Sequence, residues 1–498
     1  MTPTAVDLRP FAKRNCWTTA DGQLCVRPGI RRIYAAESGR TIVAGFSVRN
    51  ETSGEVWHYI FDVASTGTKA LKLRILDEDF QTFQVFALNV DVEPRGVSFS
   101  ITNGQIMICS PDFPTLWGLV GSSVRYAAPV ASVSLSTVLA IPRGICTEWG
   151  GRCVIFDGRN MFVSDPIAVT GGSPQTFIAE NQNQRPGVVY GAHEGAGGML
   201  VLVTSAGVYG LDSSAAAVGI VGSHGADWRL LNHHQATSYD SSCVVGGRVF
   251  ALTAAGWAVV DTDTQEEYNL VEPSASRAFG SRFALDDHRT ERMFAMDQGP
   301  VIGSDTLAGI HMTDLRSSWQ CSSWWTATTG DTSIAGMNLR GVLRMPDGGQ
   351  ALLTTLGAHL LTGNGDGTSA LSSASYVPAA HLVGNLPSAP SQNRRINQIH
   401  VGGAVGGSGL LRCSLRGEGK TATPDADAEG LTIGASTWET ATRLLTATPI
   451  TDRRFAFTRN PMRDICLEVG ADVGMARISP VAVLEESESA QKRPSGVT

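Results

Sequence analysis

A glycine-bearing turn between two apolar runs recurs along this chain at a near-constant interval, and that interval limits what the chain can fold into. GRCVIFDGRNMFVSD, Gly151 to Asp165, shows the unit. It recurs in TIVAGFSVRNETSGEVWHYIFDV, Thr41 to Val63, and in VSFSITNGQIMICS, Val97 to Ser110. GMLVLVTSAGVYGLD from Gly198, GRVFALTAAGWAVVD from Gly247, RMFAMDQGPVIGS from Arg292 and GVLRMPDGGQALLTTLGAHLLTG from Gly341 complete the series. One turn glycine from each unit gives Gly54, Gly104, Gly158, Gly207, Gly256, Gly299 and Gly348, spaced by 50, 54, 49, 49, 43 and 49 residues. Within the units, β-branched and aromatic residues alternate with small polar ones, as in strands, and no stretch carries a 3.6-residue period.

A period of about 50 filled with hairpins is the pattern of β-propeller blades. One small sheet cannot bury both of its faces. Blades packed face to face around an axis cover each other, and closing the ring removes the open ends. The expected fold is therefore all-β: an irregular β-propeller of about six to seven blades. Unrelated hairpins shared between two β-sandwiches are the alternative, and the spacing favours the propeller. The pattern breaks after about residue 370. A Pro/Ser/Ala-rich connector spans 371–393, and from Arg394 the strands lengthen, as in a Greek-key β-sandwich over 394–484. Residues 41–370 form the expected propeller. Residues 1–40 read as a lead-in that fits neither half, the strand from Ile478 to Leu484 could return to the propeller, and 485–498 read as a flexible tail.

Composition agrees with a strand-rich protein of many tight turns. Of 498 residues, 55 are glycine and only 17% are charged, so Ser, Thr, Asn and Gly must supply much of the surface. The net charge of −7 argues against an electrostatic grip on nucleic acid, though not against a wall that nucleic acid slides past. The nine cysteines, Cys16, Cys25, Cys109, Cys146, Cys153, Cys243, Cys321, Cys413 and Cys466, contain no C-x-x-C pair. They read as buried free thiols assembled in a reducing compartment. The first residues lack a signal-peptide core, and no apolar run is long enough to span a membrane.

The chemistry-bearing motifs are weak. H-E-x-x-H, G-x-S-x-G and the Walker phosphate loop are absent from the sequence. Asp261 and Asp263 read as turn carboxylates rather than calcium ligands. Asp286, Asp287 and His288 read as an inter-blade loop. His233 and His234, taken as neighbours on a strand, would face opposite sides and could not readily share a metal. Trp319, Trp324 and Trp325 could stack a sugar, but blade packing suits them better. The Gly-rich TGNGDGTSA, Thr362 to Ala370, reads as a turn. No catalytic set, metal or cofactor is expected.

Several phrases carry a family resemblance. DGQLCVRPGIRRIY, Asp21 to Tyr34, leads into Arg27-Pro28-Gly29. GRCVIFDGRNMFVSDP ends on Ser164, Asp165 and Pro166, and VVYGAHEGAGGMLVLVTSAGVYGLDSS follows. HMTDLRSSWQCSSWW carries Asp314 and Trp319. ITDRRFAFTRNPMRDICLEVGADVGMARISPVAVLEE holds an arginine run of Arg453, Arg454, Arg459 and Arg463. In order, these resemble the tail nozzle proteins of short-tailed bacteriophages, also called tail tubular B or packaged-DNA stabilisation proteins.

The resemblance implies a structural virion protein rather than an enzyme. Copies, usually six, would ring the distal tail beneath a head–tail adaptor and retain packaged DNA until ejection. A needle or plug would close the channel, fibres could attach, and double-stranded DNA would pass without sequence-specific binding. The protein would be assembled in the host cytoplasm and reside in the virion tail. The arginine run is then a candidate subunit interface, weighed against solvated edge-strand charge. A carbohydrate-binding or glycoside-cleaving propeller is the competing reading. A glycosidase would need two carboxylates facing each other across a pocket, and the sequence places no such pair.

Overall fold

The computed structural model describes residues 2–7, 12–18, 24–102, 104–127, 141–157, 160–164, 177–179, 187–212, 228–236, 238–253, 256–261, 266–270, 291–297, 299–304, 310–313, 322–325, 338–362, 380–385, 395–405, 409–418, 423–426, 432–445, 450–456, 463–471 and 476–487. Among them, the short 3-10 turn at Ala196–Gly198 is the only helical piece, so no helix there is long and apolar enough to cross a membrane.

Five short strands come first: β1 (Thr2–Asp7), β2 (Ala12–Arg14), β3 (Cys16–Thr18), β4 (Leu24–Val26) and β5 (Ile30–Ala35). Blade 1 follows as β6 (Arg40–Arg49), β7 (Val56–Ala64), β8 (Lys72–Leu76) and β9 (Thr82–Ala87). Blade 2 is β10 (Ser98–Thr102), β11 (Gln105–Ser110), β12 (Phe113–Leu119) and β13 (Arg125–Tyr126). Blade 3 is β14 (Ile145–Trp149), β15 (Arg152–Asp157), β16 (Asn160–Ser164) and β17 (Phe177–Ala179). Blade 4 is β18 (Val189–Glu194), β19 (Leu200–Thr204), β20 (Gly207–Leu211) and β21 (Arg229–Asn232). Blade 5 is β22 (Ser242–Val245), β23 (Arg248–Thr253), β24 (Gly256–Asp261) and β25 (Glu266–Leu270). Blade 6 is β26 (Glu291–Met296), β27 (Gly299–Ser304), β28 (Ile310–Thr313) and β29 (Ser322–Trp325). Blade 7 takes β30 (Leu339–Arg344), β31 (Gln350–Thr354) and β32 (Gly357–Leu361) from this part of the chain and β5 from the N-terminal segment.

Each blade is an antiparallel four-stranded unit, and the six described turn glycines, Gly54, Gly104, Gly207, Gly256, Gly299 and Gly348, each fall in a different blade. Six blades are separate sheets, and the sixth in chain order is the start of a larger one. The uneven intervals have a local cause. Gly104 closes the first hairpin of its blade, Gly207 and Gly256 open second hairpins, Gly299 returns to a first hairpin, and Gly158 lies outside the described residues. Gly54 and Gly104 take φ of 78° and 73°, the left-handed region that a side chain disfavours.

Apolar seams join successive blades and close the ring. Phe61 and Tyr59 of blade 1 meet Ile108 and Phe113 of blade 2. Met107 and Trp117 meet Ile155 and Phe162 of blade 3. Val154 and Phe156 meet Leu200 and Leu202 of blade 4, and Val201 and Val203 meet Val249 and Ala251 of blade 5. Phe250 and Val259 meet Met293 and Ile302 of blade 6, whose Val301 and Ile310 meet Leu339 and Leu352 of blade 7. Leu343 and Leu353 then meet Ile42 and Ile60 of blade 1. Seven seams fix seven blades. Because both faces are covered, middle strands read as unbroken apolar runs; every residue of β11 and of β19 is buried.

The remaining strands are β33 (Ala380–Asn385), β34 (Arg395–Val405), β35 (Gly409–Glu418), β36 (Thr423–Ala426), β37 (Thr432–Leu445), β38 (Ile450–Ala456), β39 (Arg463–Ala471) and β40 (Ala476–Ser487). They form two sheets that adjoin where β34 approaches β35 and β37 and where β37 approaches β38. The first runs β3-β4-β40-β34-β38, with β1 also on β40. The second continues blade 6: β29 pairs in parallel with β2, β2 pairs with β33, and the order runs on through β39, β35, β37 and β36. The N-terminal strands therefore divide. β1 to β4 join the C-terminal sheets, and β5 completes blade 7 through Leu361↔Ile30 to Gly357↔Ala35. The strand around Ile478 to Leu484 lies in the C-terminal sheet, paired with β1, β4 and β34.

The buried charges inside blade 1 are matched. Buried Asp62 accepts from the Arg40 and Arg74 guanidinium groups, and Arg74 also reaches Glu37. Burial raises the Asp62 carboxyl above its ordinary range, and the hydrogen bond and charge of Arg40 pull it back. His58 is fully buried, stacks on Phe80 at 4.5 Å, and shares a 2.8 Å hydrogen bond between Nδ1 and Ser47 Oγ. Its Nε2 has no partner among the described residues, and burial lowers its pKa to about 4. Cys16, Cys25, Cys109, Cys146, Cys153 and Cys243 are buried and outside any disulfide, as the sequence suggested.

The seam between blades 7 and 1 depends on bare backbone. A Cβ at Gly341 would lie 2.2 Å from the Gly45 carbonyl oxygen, and one at Gly45 would lie 2.5 Å from Leu353 Cδ2. Gly341→Val is expected to destabilise the fold by about 3 kcal/mol, read as a lowered denaturation midpoint. Histidine 58 sets a pH dependence. Between about pH 6.5 and 4 the unfolded chain takes up a proton that the folded chain refuses. Stability is therefore complete above that window and falls by about 3 kcal/mol across it. Thermal unfolding should show a slope over this window, and His58→Asn should remove about half of it, because burial also lowers the pKa of His193 to about 4.

Candidate functional site

The first strand of each blade faces the propeller axis, because blades that wedge together bring these strands closest. β6, β10, β26 and β30 leave a cleft of about 250 Å³ there. On β30 the residues Arg340, Val342 and Arg344 share one face by the two-residue strand period and line it. Phe294 of β26, Phe46 of β6 and Phe99 of β10 supply the apolar wall, with Val97 beside them. The Phe46 and Phe99 rings stack at 4.1 Å.

One end of the cleft is crossed by two inter-blade segments. Glu93 and Gly96 lie between blades 1 and 2, and Tyr239 and Asp240 lie between blades 4 and 5. The Gly96 N–H donates to Asp240 Oδ2 at 3.2 Å across a sequence separation of 144. Gly96 is at φ +60°, and a Cβ there would lie 2.9 Å from the Tyr239 side chain, so the crossing needs glycine. Arg95 pairs with Asp112 at 2.8 Å and lies 5.6 Å above the Tyr239 ring.

Charges from the first strands hold this crossing. Arg292 of β26 is 3.7 Å from Asp240 and 3.6 Å from Glu93, and Arg340 of β30 is 3.7 Å from the same Glu93 oxygen. Arg292 also donates to the Val43 carbonyl at 3.4 Å, and the Met293 N–H donates to the Asp240 main-chain oxygen at 2.7 Å. Burial raises the Asp240 carboxyl; Arg292, the Gly96 N–H and Arg340 offset that rise. Asp240 itself takes φ 59°, a conformation Asp tolerates better than most residues. These groups close one end of the axis electrostatically.

None of the described sequence-selected positions lines this cleft. Arg27 is fully buried at the passage from β4 to β5, its Nε donating to Asn15 Oδ1 and its Nη1 to the Pro28 carbonyl, both at 2.9 Å. Gly29 accepts from the Thr362 N–H at 2.9 Å. Arg27-Pro28-Gly29 thus sits where the chain leaves the C-terminal sheets for blade 7. Ser164 is buried at the end of β16 and accepts from the Cys153 N–H at 2.8 Å. Arg453 and Arg454 stand in β38, a terminal strand of its sheet, opposite Val401 and His400. Arg463 opens β39 opposite Glu418. Asp165, Pro166, Asp314, Trp319 and Arg459 lie outside the described residues, as do Asp263, Asp286, Asp287 and His288.

His233 and His234 differ from the sequence expectation. β21 ends at Asn232, and Asn232 Oδ1 accepts from the His234 N–H at 2.7 Å. The pair therefore follows the strand in a turn, and its rings lie 4.1 Å apart instead of on opposite faces. Among the described residues no three His, Cys, Asp or Glu side chains converge as a metal site would require. Sequence reasoning missed Glu93, Asp240, Arg292, Arg340 and Arg344. One signal was available: an arginine is the second residue of both ERMFAM and LRGVLR, the first strands of consecutive blades.

No family model and no curated protein matches this chain. Among solved structures it is similar to YCF48 bound to D1 peptide, at 13% identity and a TM-score of 0.40, covering 70% of this chain and 99% of that one. It is also similar to the extracellular domain of a one-component system protein of B. thetaiotaomicron, at 9% identity and a TM-score of 0.44, covering 89% and 62%. A catalytically inactive virginiamycin B lyase from Staphylococcus aureus, solved with quinupristin, gives 10% identity and 0.41, covering 67% and 99%. The likeness is one of fold.

Asp240→Ala is expected to lower stability by about 2 kcal/mol, the cost of leaving Arg292 and the Gly96 N–H without this partner. Hydrogen exchange should accelerate at the Gly96 amide and not at the Met293 amide, whose acceptor is main-chain oxygen.

Proposed function

We propose that this chain is a structural component of a short phage tail, one copy of a ring that forms the distal channel for DNA. The observation that carries the reading is the continuity of blade 6 with the appended strands through β2 and β33. A sheet of ten strands running through both parts makes the propeller and the C-terminal strands one load-bearing body. That is what a wall segment under packaged-DNA pressure requires. The nozzle-like phrases in the sequence supply the family direction, and Arg27-Pro28-Gly29 falls at the junction of the two parts.

In this reading DNA passes between copies and not through a propeller. The axial cleft is far too small for a duplex, and its end is crossed by Gly96 and Asp240. The net charge of −7 disfavours lasting phosphate contacts along the wall. The ring, usually of six copies, would dock on a head–tail adaptor and meet a needle or fibres at its far end. Assembly would take place in the host cytoplasm, and no catalytic step is assigned.

Mass photometry of the full chain, alone and with an adaptor ring, tests the reading. Rings are the expected outcome. A monomer that never docks and instead binds or cleaves glycans would replace this reading with the carbohydrate-active one. Because Arg453 and Arg454 lie on a terminal strand, Arg453→Glu with Arg454→Glu should weaken ring assembly about tenfold or more while the melting temperature stays near that of the parent.

A further inference from the structure

We propose that the axial cleft binds a monocarboxylate with an apolar body, the body between β6, β10, β26 and β30 and the carboxylate at Arg344. The cleft has two unlike ends. At its far end the lining residues Asp240 and Arg340 belong to the charge lattice they form with Glu93 and Arg292, whose charges already face one another. Its middle is walled by Phe46, Phe99, Phe294 and Val342. Its mouth holds Ser47, Arg344 and Gln350, and these three also line an adjoining cavity of about 120 Å³ that includes Arg49 and Asp297.

Size and charge select the ligand class. A cavity of about 150 Å³ accommodates a benzene-sized body, so this one holds a substituted ring or a short branched chain. Asp297 Oδ1 accepts from Gln350 Nε2 at 3.2 Å, which engages the one carboxylate at the mouth. Arg344 is exposed and makes no ion pair among the described residues. An arriving carboxylate therefore meets a guanidinium with its fork open, which suits bidentate pairing. A free sugar is a poorer match, because its hydroxyls would face three phenyl rings and a valine. Such a site lies within one copy and operates whether or not copies assemble into rings.

The test uses the full chain with 3-phenylpropionate and its neutral counterpart 3-phenylpropanamide, followed by titration calorimetry and ligand-observed NMR. The acid should bind about tenfold or more tightly than the amide. Arg344→Gln should reduce the acid to the affinity of the amide and leave amide binding unchanged, while Arg344→Lys should retain part of the preference. Val342→Trp should abolish binding of both by filling the cleft, with an unchanged melting curve showing that the fold persists. Equal affinity for acid and amide, an unaltered preference in Arg344→Gln, or no saturable binding of either probe up to about 10 mM would each overturn the proposal.

Discussion

Face-to-face burial of one small sheet against the next is the interaction on which everything else in this protein rests. A four-stranded blade with an unbroken apolar middle strand has two faces to hide and no means of hiding either alone. Each buried Leu, Ile, Val or Phe in a seam contributes about 1.5–3 kcal/mol relative to exposure, so every seam is held by several such side chains. The ring closes only when the last seam, between blades 7 and 1, forms. There Gly45 and Gly341 let two first strands approach to backbone distance. The axial cleft is a by-product of this geometry: wedged sheets converge toward a line, and what the first strands present along that line becomes the lining.

Polar chemistry is arranged around that constraint. Inside blade 1, Asp62 is held between Arg40 and Arg74, so a charge is buried only where partners surround it. At the axis the same rule works across blades. Asp240 and Glu93 come from inter-blade segments on different sides of the ring, and Arg292 and Arg340 come from first strands. The lattice ties blades that share no seam. The cleft below it is left apolar, with an exposed cation at its mouth. A charged end, a greasy middle and a charged rim are what a small amphipathic ligand would meet, and the charge lattice also ties the propeller together.

Much of the architecture was legible in the sequence because it is written locally. Turn glycines such as Gly54 and Gly104 are demanded by a left-handed backbone conformation, and apolar runs such as QIMICS and LVLVT are demanded by burial on two faces. Both leave marks within a few residues. Pairing between distant strands leaves no such mark. IRRIYA carries nothing to say that its partner is GAHLL, more than 300 residues later, and so the first forty residues fitted neither half. The His233–His234 geometry was misjudged because β21 stops one residue before the pair, a boundary set by the Asn232 side chain. The axial charges were missed because their meeting depends on ring closure, although the arginines opening ERMFAM and LRGVLR were a usable hint.

The division of the N-terminal strands has a consequence for how the protein comes into being. On the ribosome, β5 is made more than 300 residues before its partner β32, while β1 and β4 wait for β40, at Ala476–Ser487. The propeller cannot close before β32 is made, and the C-terminal sheets cannot be completed before β40 is made. Such long-range pairing makes folding slow and leaves unpaired strand edges that invite association with the wrong neighbour in the meantime. A chaperone that covers those edges would shorten the exposed interval.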